Sequence, residues 1–164
     1  MRAPRFDSEA LFRALDETRR ERGLTWRELA AETGVADSTL RRTRLGRPLE
    51  ADGMLAMVRV VGRAPEDFAQ GPSATGRSLK QGRFDTQALS AALDAERRER
   101  GLSWAEASRE IGASSANAVR RLADGGRIDA DLVLACTWWL GRPVDDFVVP
   151  VFEHPGEVRR RSES

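Results

Sequence analysis

The chain repeats itself, and this constrains its fold more than any other feature. Residues 5–34 begin Arg5-Phe6-Asp7-Ser8-Glu9-Ala10-Leu11, and residues 83–112 begin Arg83-Phe84-Asp85-Thr86-Gln87-Ala88-Leu89, an offset of 78. The match runs on through Arg19-Arg20-Glu21-Arg22-Gly23-Leu24-Thr25-Trp26 against Arg97-Arg98-Glu99-Arg100-Gly101-Leu102-Ser103-Trp104. Past Gly34 and Gly112 the offset is 79: Arg41-Arg42 meets Arg120-Arg121, Gly62-Arg63 meets Gly141-Arg142, and Asp67-Phe68 meets Asp146-Phe147. About 29 identities fall over roughly 63 aligned positions, more than shared helical composition produces. Length alone, 164 residues, predicts about one domain. The duplication predicts two, at residues 5–68 and 83–147. Residues 69–82, with Gly71-Pro72-Ser73-Ala74-Thr75-Gly76, have the composition of a flexible linker. The tail, residues 148–164, is proline-broken and ends Arg159-Arg160-Arg161-Ser162-Glu163-Ser164. It is expected to be mostly disordered beyond Phe152, either as a solvated terminus or as a basic segment touching nucleic acid.

Each repeat reads as a small helical bundle. Asp7 is a good N-cap, and Ala10, Leu11, Ala14, Leu15 and Thr18 recur at helical spacing. Gly23 follows the last basic turn as a helix-ending residue. Thr25-Trp26-Arg27-Glu28 is a capping box, repeated as Ser103-Trp104-Ala105-Glu106. The second helix stops at Gly34 or Gly112. A third is expected from about Asp37-Ser38 to Leu45, with a counterpart from Ser114-Ser115 to Ala123. A fourth is expected over Asp52–Val61, with a counterpart over Asp131–Leu140. Pro65 opens a short closing turn that Phe68 packs down. No strand is expected, so the fold class is all-α: two tandem bundles, each of four helices plus a closing turn.

Composition excludes several function classes. Hydrophobic residues make up 40% and charged residues 32%, enough apolar material for small cores. The net charge is +1, so bulk charge predicts no polyanionic partner. No apolar run approaches the ~20 residues of a membrane span, and residues 1–7 lack the apolar stretch of a signal peptide. Cytoplasmic localisation follows as an expectation. A single cysteine, Cys136, excludes an internal disulfide framework and a Cys-rich zinc site, and a single histidine, His154, excludes a His-pair site. No nucleophile–base pair, metal cluster or phosphate loop is present, so no enzymatic activity, metal or cofactor is expected.

The informative step lies between the second and third helices. A short helix, a glycine, about three residues and another short helix make helix-turn-helix spacing, although a plain helical hairpin reads the same way. The glycine permits a positive φ at the turn. Gly23-Leu24-Thr25-Trp26-Arg27-Glu28-Leu29-Ala30, then Gly34-Val35-Ala36-Asp37-Ser38-Thr39-Leu40, then Gly46-Arg47, resembles the Cro/CI-type helix-turn-helix family, which is lambda-repressor-like. Asp52 to Gly62 and Asp67-Phe68 match that family's fourth and fifth helices. The resemblance covers about four-fifths of the chain. Repeat two departs from the pattern: Gly112-Ala113-Ser114-Ser115-Ala116-Asn117-Ala118-Val119 carries one extra residue and lacks Ser-Thr-Leu. Leu40 in repeat one, and Val119 and Leu122 in repeat two, hold core positions.

The resemblance implies binding of double-stranded DNA, with the third helix facing base edges in the major groove. It places Asp37, Ser38, Thr39 and Arg42 there in repeat one, and Ser115, Ala116, Asn117 and Arg121 in repeat two. Either arginine suits a bidentate pair with guanine, and Asn117 suits adenine. Asp37 suits a cytosine amino group, or is simply the helix N-cap. Arg41, Arg44 and Arg47, with Arg120 and Arg127, are placed for phosphate contact. Trp26 and Trp104 stand where the family commonly has a glutamine that bonds phosphate. An indole N–H can still donate there, or the ring covers the helix packing.

Local charge agrees with this placement better than the total does. Residues 36–48 carry four arginines against Asp37, and residues 114–128 carry Arg120, Arg121 and Arg127 against Asp124. That polarity suits a groove reader, and also an ordinary solvated face. The Arg-Arg-Glu-Arg blocks at residues 19 and 97 read as solvated helix ends. Trp138, beside Trp139, is expected to point outward as a contact surface, either repeat-to-repeat or between chains in a homodimer or with a protein partner, or to be covered by residues 148–152. The expected function is a nucleoid-associated transcriptional regulator, either as a covalent pseudo-dimer on an asymmetric site or with repeat one reading DNA while repeat two mainly dimerises. The alternative is a protein-interaction adaptor, antitoxin-like or sigma-factor-binding, on the same scaffold, with little DNA binding by repeat two.

Overall fold

The computed structural model describes residues 2–72 and 82–150. It is mostly helical. Repeat one holds α1 (Ser8–Glu21), α2 (Trp26–Thr33), α3 (Asp37–Arg42) and α4 (Ala51–Val61). Repeat two holds α5 (Thr86–Glu99), α6 (Trp104–Ile111), α7 (Ala116–Arg120) and α8 (Ala130–Leu140). α3 tightens into a 3₁₀ turn over Thr43–Leu45, and α7 does the same over Arg121–Asp124. Closing 3₁₀ turns span Pro65–Phe68 and Val144–Phe147. No helix is long and apolar enough to cross a membrane.

The helix boundaries follow from local chemistry. Asp7 and Asp85 cap α1 and α5, accepting from Ala10 N and Ala88 N at 2.9 Å. Both capping boxes form. Thr25 Oγ1 accepts from Glu28 N at 3.2 Å, while Glu28 Oε2 accepts from Thr25 N at 2.7 Å. Ser103 and Glu106 repeat the exchange at 3.2 and 2.7 Å. Those backbone donors hold the Glu28 and Glu106 carboxyls below their ordinary value. Gly34 and Gly112 end α2 and α6 at φ +71° and +80°, a conformation in which a Cβ would be strained.

Four short strands correct the expectation of none. β1 (Arg5–Phe6) pairs antiparallel with β2 (Ala69–Gln70), and β3 (Gly82–Phe84) with β4 (Val148–Pro150). Residues 69–82 are therefore not a linker throughout: Ala69, Gln70 and Gly82 are strand, while 73–81 lie outside the described residues. The tail likewise begins as strand, and 151–164, including Phe152 and Arg159–Arg161, lie outside the described residues.

Both repeats contribute to one buried cluster. Leu11, Leu15, Leu29, Leu40, Met54 and Val58 are fully buried in repeat one, as are Leu89, Leu93, Ile111, Val119 and Val133 in repeat two. At ~1.5–3 kcal/mol per fully buried aliphatic side chain, these residues dominate the driving force for folding.

The repeats also pack on each other through reciprocal bonds. Phe6 N donates to Asp131 Oδ1 at 2.6 Å, and Phe84 N donates to Asp52 Oδ1 at 2.9 Å. Ala51 N donates to Ile128 O at 2.8 Å, and Ala130 N to Leu49 O at 2.7 Å. Glu50 and Asp129 form a bridge between them. In each pair the donors and acceptors occupy equivalent positions of the two repeats. This is the signature of an isologous, two-fold contact, made here within one chain.

Candidate nucleic-acid interface

The face of interest is built on α2, its turn and α3. Leu40, fully buried, pins α3 to the core, and Val119 does the same for α7, also without exposure. With that face held inward, the rest of each short helix points out. Ser38, Arg41, Arg42, Arg44 and Arg47 are exposed, and Asp37 and Thr39 are half-buried. In repeat two Ser115, Asn117, Arg120, Arg121 and Arg127 are exposed and Ala116 is half-buried.

Asp37 is not the N-cap. Ala36 takes that position with extended backbone, and Asp37 is the first helical residue. Its Oδ2 accepts from Arg41 at 2.6 Å, the i,i+4 pairing a helix favours. Arg41 is therefore tied to its own helix. In repeat two the N-cap is the equivalent residue, Ser115, whose Oγ accepts from Ala118 N at 3.2 Å. The hydroxyl of Ser115 is thus engaged in the cap, and the first exposed polar side chain of α7 is Asn117.

The arginines divide by partner. Arg19, Arg20, Arg22, Arg97, Arg98 and Arg100 all sit in ion pairs with Asp16, Glu32, Asp94, Glu96 or Glu110. Among the described residues, Arg42, Arg44 and Arg47, with Arg120, Arg121 and Arg127, have no carboxylate within 4.0 Å. The Arg-Arg-Glu-Arg blocks are neutralised helix ends, whereas the third-helix segments present a run of unpaired cations; among the described residues Arg2, Arg5, Arg13, Arg27, Arg59, Arg83 and Arg109 also have no carboxylate within 4.0 Å, but are scattered over other elements.

Trp26 and Trp104 are half-buried. Trp26 stacks on Phe12 with ring centroids 5.3 Å apart and 13° between planes, and Arg19 lies 5.0 Å from its centroid. Arg97 lies 4.8 Å from the Trp104 ring. Both rings cover the packing of the first two helices. Trp138 does not stand out as expected. It is half-buried and packs against the core, on a helix, α8, that meets β1 and α4 as well as its own repeat. Trp139 is buried, donates to Glu110 Oε2 at 2.9 Å, and lies under Arg100.

Two features escaped the sequence reading. Leu45, 55% exposed, ends the 3₁₀ turn beside Arg44. Its counterpart Asp124 marks the position as surface, which was the available signal. Asp52 and Asp131 hold the inter-repeat bonds. Their identity across the repeats, as the second residue of α4 and of α8, was the clue. Beside α3 a cleft of about 530 Å³ is lined by Val35, Thr39, Arg42, Arg47, Leu49 and Asp52, among others. No family model, curated protein or solved structure matches the chain.

Proposed function

We propose that the chain is a sequence-specific, double-stranded DNA-binding transcriptional regulator. Its two repeats act as covalently linked helix-turn-helix units of Cro/CI type, and it carries out no catalysis. The observation that carries the reading is the clustering of exposed arginines without carboxylate partners, Arg42, Arg44 and Arg47 with Arg120, Arg121 and Arg127, on the two third-helix segments. Cations are left unpaired on the two third-helix segments, while the Arg-Arg-Glu-Arg blocks are neutralised. Counterion release rewards that distribution regardless of a near-zero total charge. Ser38, Thr39 and Arg42 on α3, with Asn117 and Arg121 on α7, face base edges in this reading. Arg44, Arg47, Arg120 and Arg127 hold phosphates. The direct test is binding of the intact chain to duplex DNA across a salt series. A steep decline with salt is expected, and Arg42→Ala should cost ~1–3 kcal/mol of specific affinity. Binding that is absent at low salt refutes the reading.

A second reading, a protein-interaction adaptor on the same scaffold, draws on Leu45, an exposed apolar side chain at the end of the third-helix segment. Its partner would bind with little salt dependence and would be lost with Leu45→Asp.

A further inference from the structure

We infer that one chain recognises a single non-palindromic duplex site, in one fixed orientation, with an adenine read by Asn117 in the half-site of repeat two that has no counterpart in the half-site of repeat one. This rests on the DNA-binding reading and goes further, because it names the form of the site.

The first ground is the two-fold contact. A two-fold rotation leaves position along its axis unchanged, so equivalent segments of the two repeats stand at the same height along that axis. The segments from α3 to Leu49 and from α7 to Ile128 each run directly into the bond pair that straddles it, Ala130 N to Leu49 O and Ala51 N to Ile128 O. A two-fold relation is the one that dimeric helix-turn-helix units use to read two half-sites about one helical turn apart on one duplex. Here the relation is internal, so a second chain is not needed to complete it.

The second ground is the difference between the two faces. Register is set by the buried anchors, Leu40 and Val119, each the fourth residue of its helix. Counted from them, Asp37, Ser38 and Thr39 correspond to Ala116, Asn117 and Ala118, while Arg42 corresponds to Arg121. Repeat one offers the Ser38 and Thr39 hydroxyls, its Asp37 carboxylate being held by Arg41. Repeat two offers one amide between two methyl groups. Asparagine pairs bidentately with adenine N6 and N7, and serine reads no single base. The arginines are common to both, so a guanine can recur in each half-site while the adenine cannot. In an ordinary homodimer the faces are identical and the best site is a palindrome. Two unlike faces on one chain remove that symmetry and give the site a direction.

Selection of the intact chain on a random duplex pool, with sequencing and a measured chain-to-duplex ratio, tests this. Two unlike blocks about one helical turn apart, bound by one chain, are expected. Asn117→Ala should flatten the adenine position, a roughly 5- to 150-fold loss of discrimination, and leave the other block unchanged. Grafting the repeat-two face onto repeat one, Asp37→Ala with Ser38→Asn and Thr39→Ala, should make the selected site more palindromic. Ser38 is exposed and Asp37 and Thr39 are half-buried, so an unchanged circular dichroism spectrum and Tm are needed to confirm the fold of the graft. A palindromic site for the unsubstituted chain, or two chains per site, overturns the inference while DNA binding stands. No enrichment even at low salt overturns the DNA reading and this inference with it.

Discussion

The reciprocal bonds between the repeats carry a quantitative consequence. Asp131 Oδ1 accepts from Phe6 N at 2.6 Å in a partly buried setting. Asp131→Ala removes that acceptor and leaves the Phe6 N–H between the repeats. Hydrogen bonds to a charged group contribute ~1.5–3 kcal/mol. Phe6 is only half-buried, so water partly replaces the lost partner, which places the loss toward the lower end of that range. In a chain of this size each 1 kcal/mol shifts Tm by ~2–4 °C. A fall of ~3–8 °C therefore follows for Asp131→Ala, and a smaller fall for Asp131→Asn, which keeps an acceptor but loses the charge. Asp52→Ala, at 2.9 Å and on an exposed residue, should cost less. The assay is thermal unfolding by circular dichroism, with amide exchange of Phe6 and Phe84 as site reporters. Asp131→Ala should expose the Phe6 amide, and Asp52→Ala the Phe84 amide. Because both bonds hold one interface, the double mutant should be non-additive. Tm unchanged within ~1 °C and a Phe6 amide still protected from exchange would refute the reasoning.

Three further outcomes follow. Leu40→Ala deletes a fully buried anchor of α3 and should cost ~2–5 kcal/mol in denaturant unfolding; a smaller loss would mean that α3 is not held through this residue. Burial raises the Glu66 carboxyl above its ordinary value of 4.5, so its contribution to stability is complete below that value and is lost as pH rises through the folded one. Glu66→Gln keeps an acceptor for Val144 N and should flatten that decline as pH rises, and a pH profile identical to the parent would exclude this role. Burial pushes the Cys136 thiol up to about 12. At neutral pH a thiol reagent should therefore label it only as fast as the fold opens, and rapid labelling of native protein would contradict its placement.

The helices were legible in the sequence because their signals are local. Asp7, Thr25 with Glu28, and Gly34 each act within four residues of themselves. The strands were not legible. Segments of two or three residues are too short to show alternation, and Phe6 finds its partner at Ala69 on the far side of the repeat. The cap of α3 was misplaced by one residue. An aspartate at a helix start suits either the N-cap or the first turn, and the Arg41 guanidinium settled it as the first turn. Trp138 was placed outward by counting around one helix against its own repeat. α8 is apolar nearly all round, with Val133 to Thr137 and Trp139 buried, and such a helix has neighbours on several sides. That pattern was the sequence's record of the second repeat packing on the first. On the candidate interface, the placement of side chains on the surface was legible, because Leu40 and Val119 fix register. Their ion pairing was not, since Arg41 and Arg42 are neighbours of identical type and only one meets Asp37.

The departures from symmetry show what fusion permits. Glu66 Oε1 accepts from Val144 N at 2.7 Å, joining the closing turn of repeat one to that of repeat two. The mirror-image bond cannot exist. The position equivalent to Val144 is Pro65, which has no N–H, and the position equivalent to Glu66 is Asp145, one methylene shorter. The strand pairs break symmetry in the opposite sense. Gly82 lies across from Pro150, where a Cβ would come within 2.6 Å of Val149 O. In repeat one the proline is Pro4, and a Cβ on Gly71 would lie 3.6 Å from its Cα. A homodimer repeats every interface residue twice, so a proline that removes a donor on one side removes it on both. Joined in one chain, each repeat need only fit the other. Two copies of repeat one would lack the donor that Glu66 uses, and two copies of repeat two would lack the glutamate. The repeats are therefore complements rather than interchangeable copies, and the unlike faces of α3 and α7 belong to the same divergence.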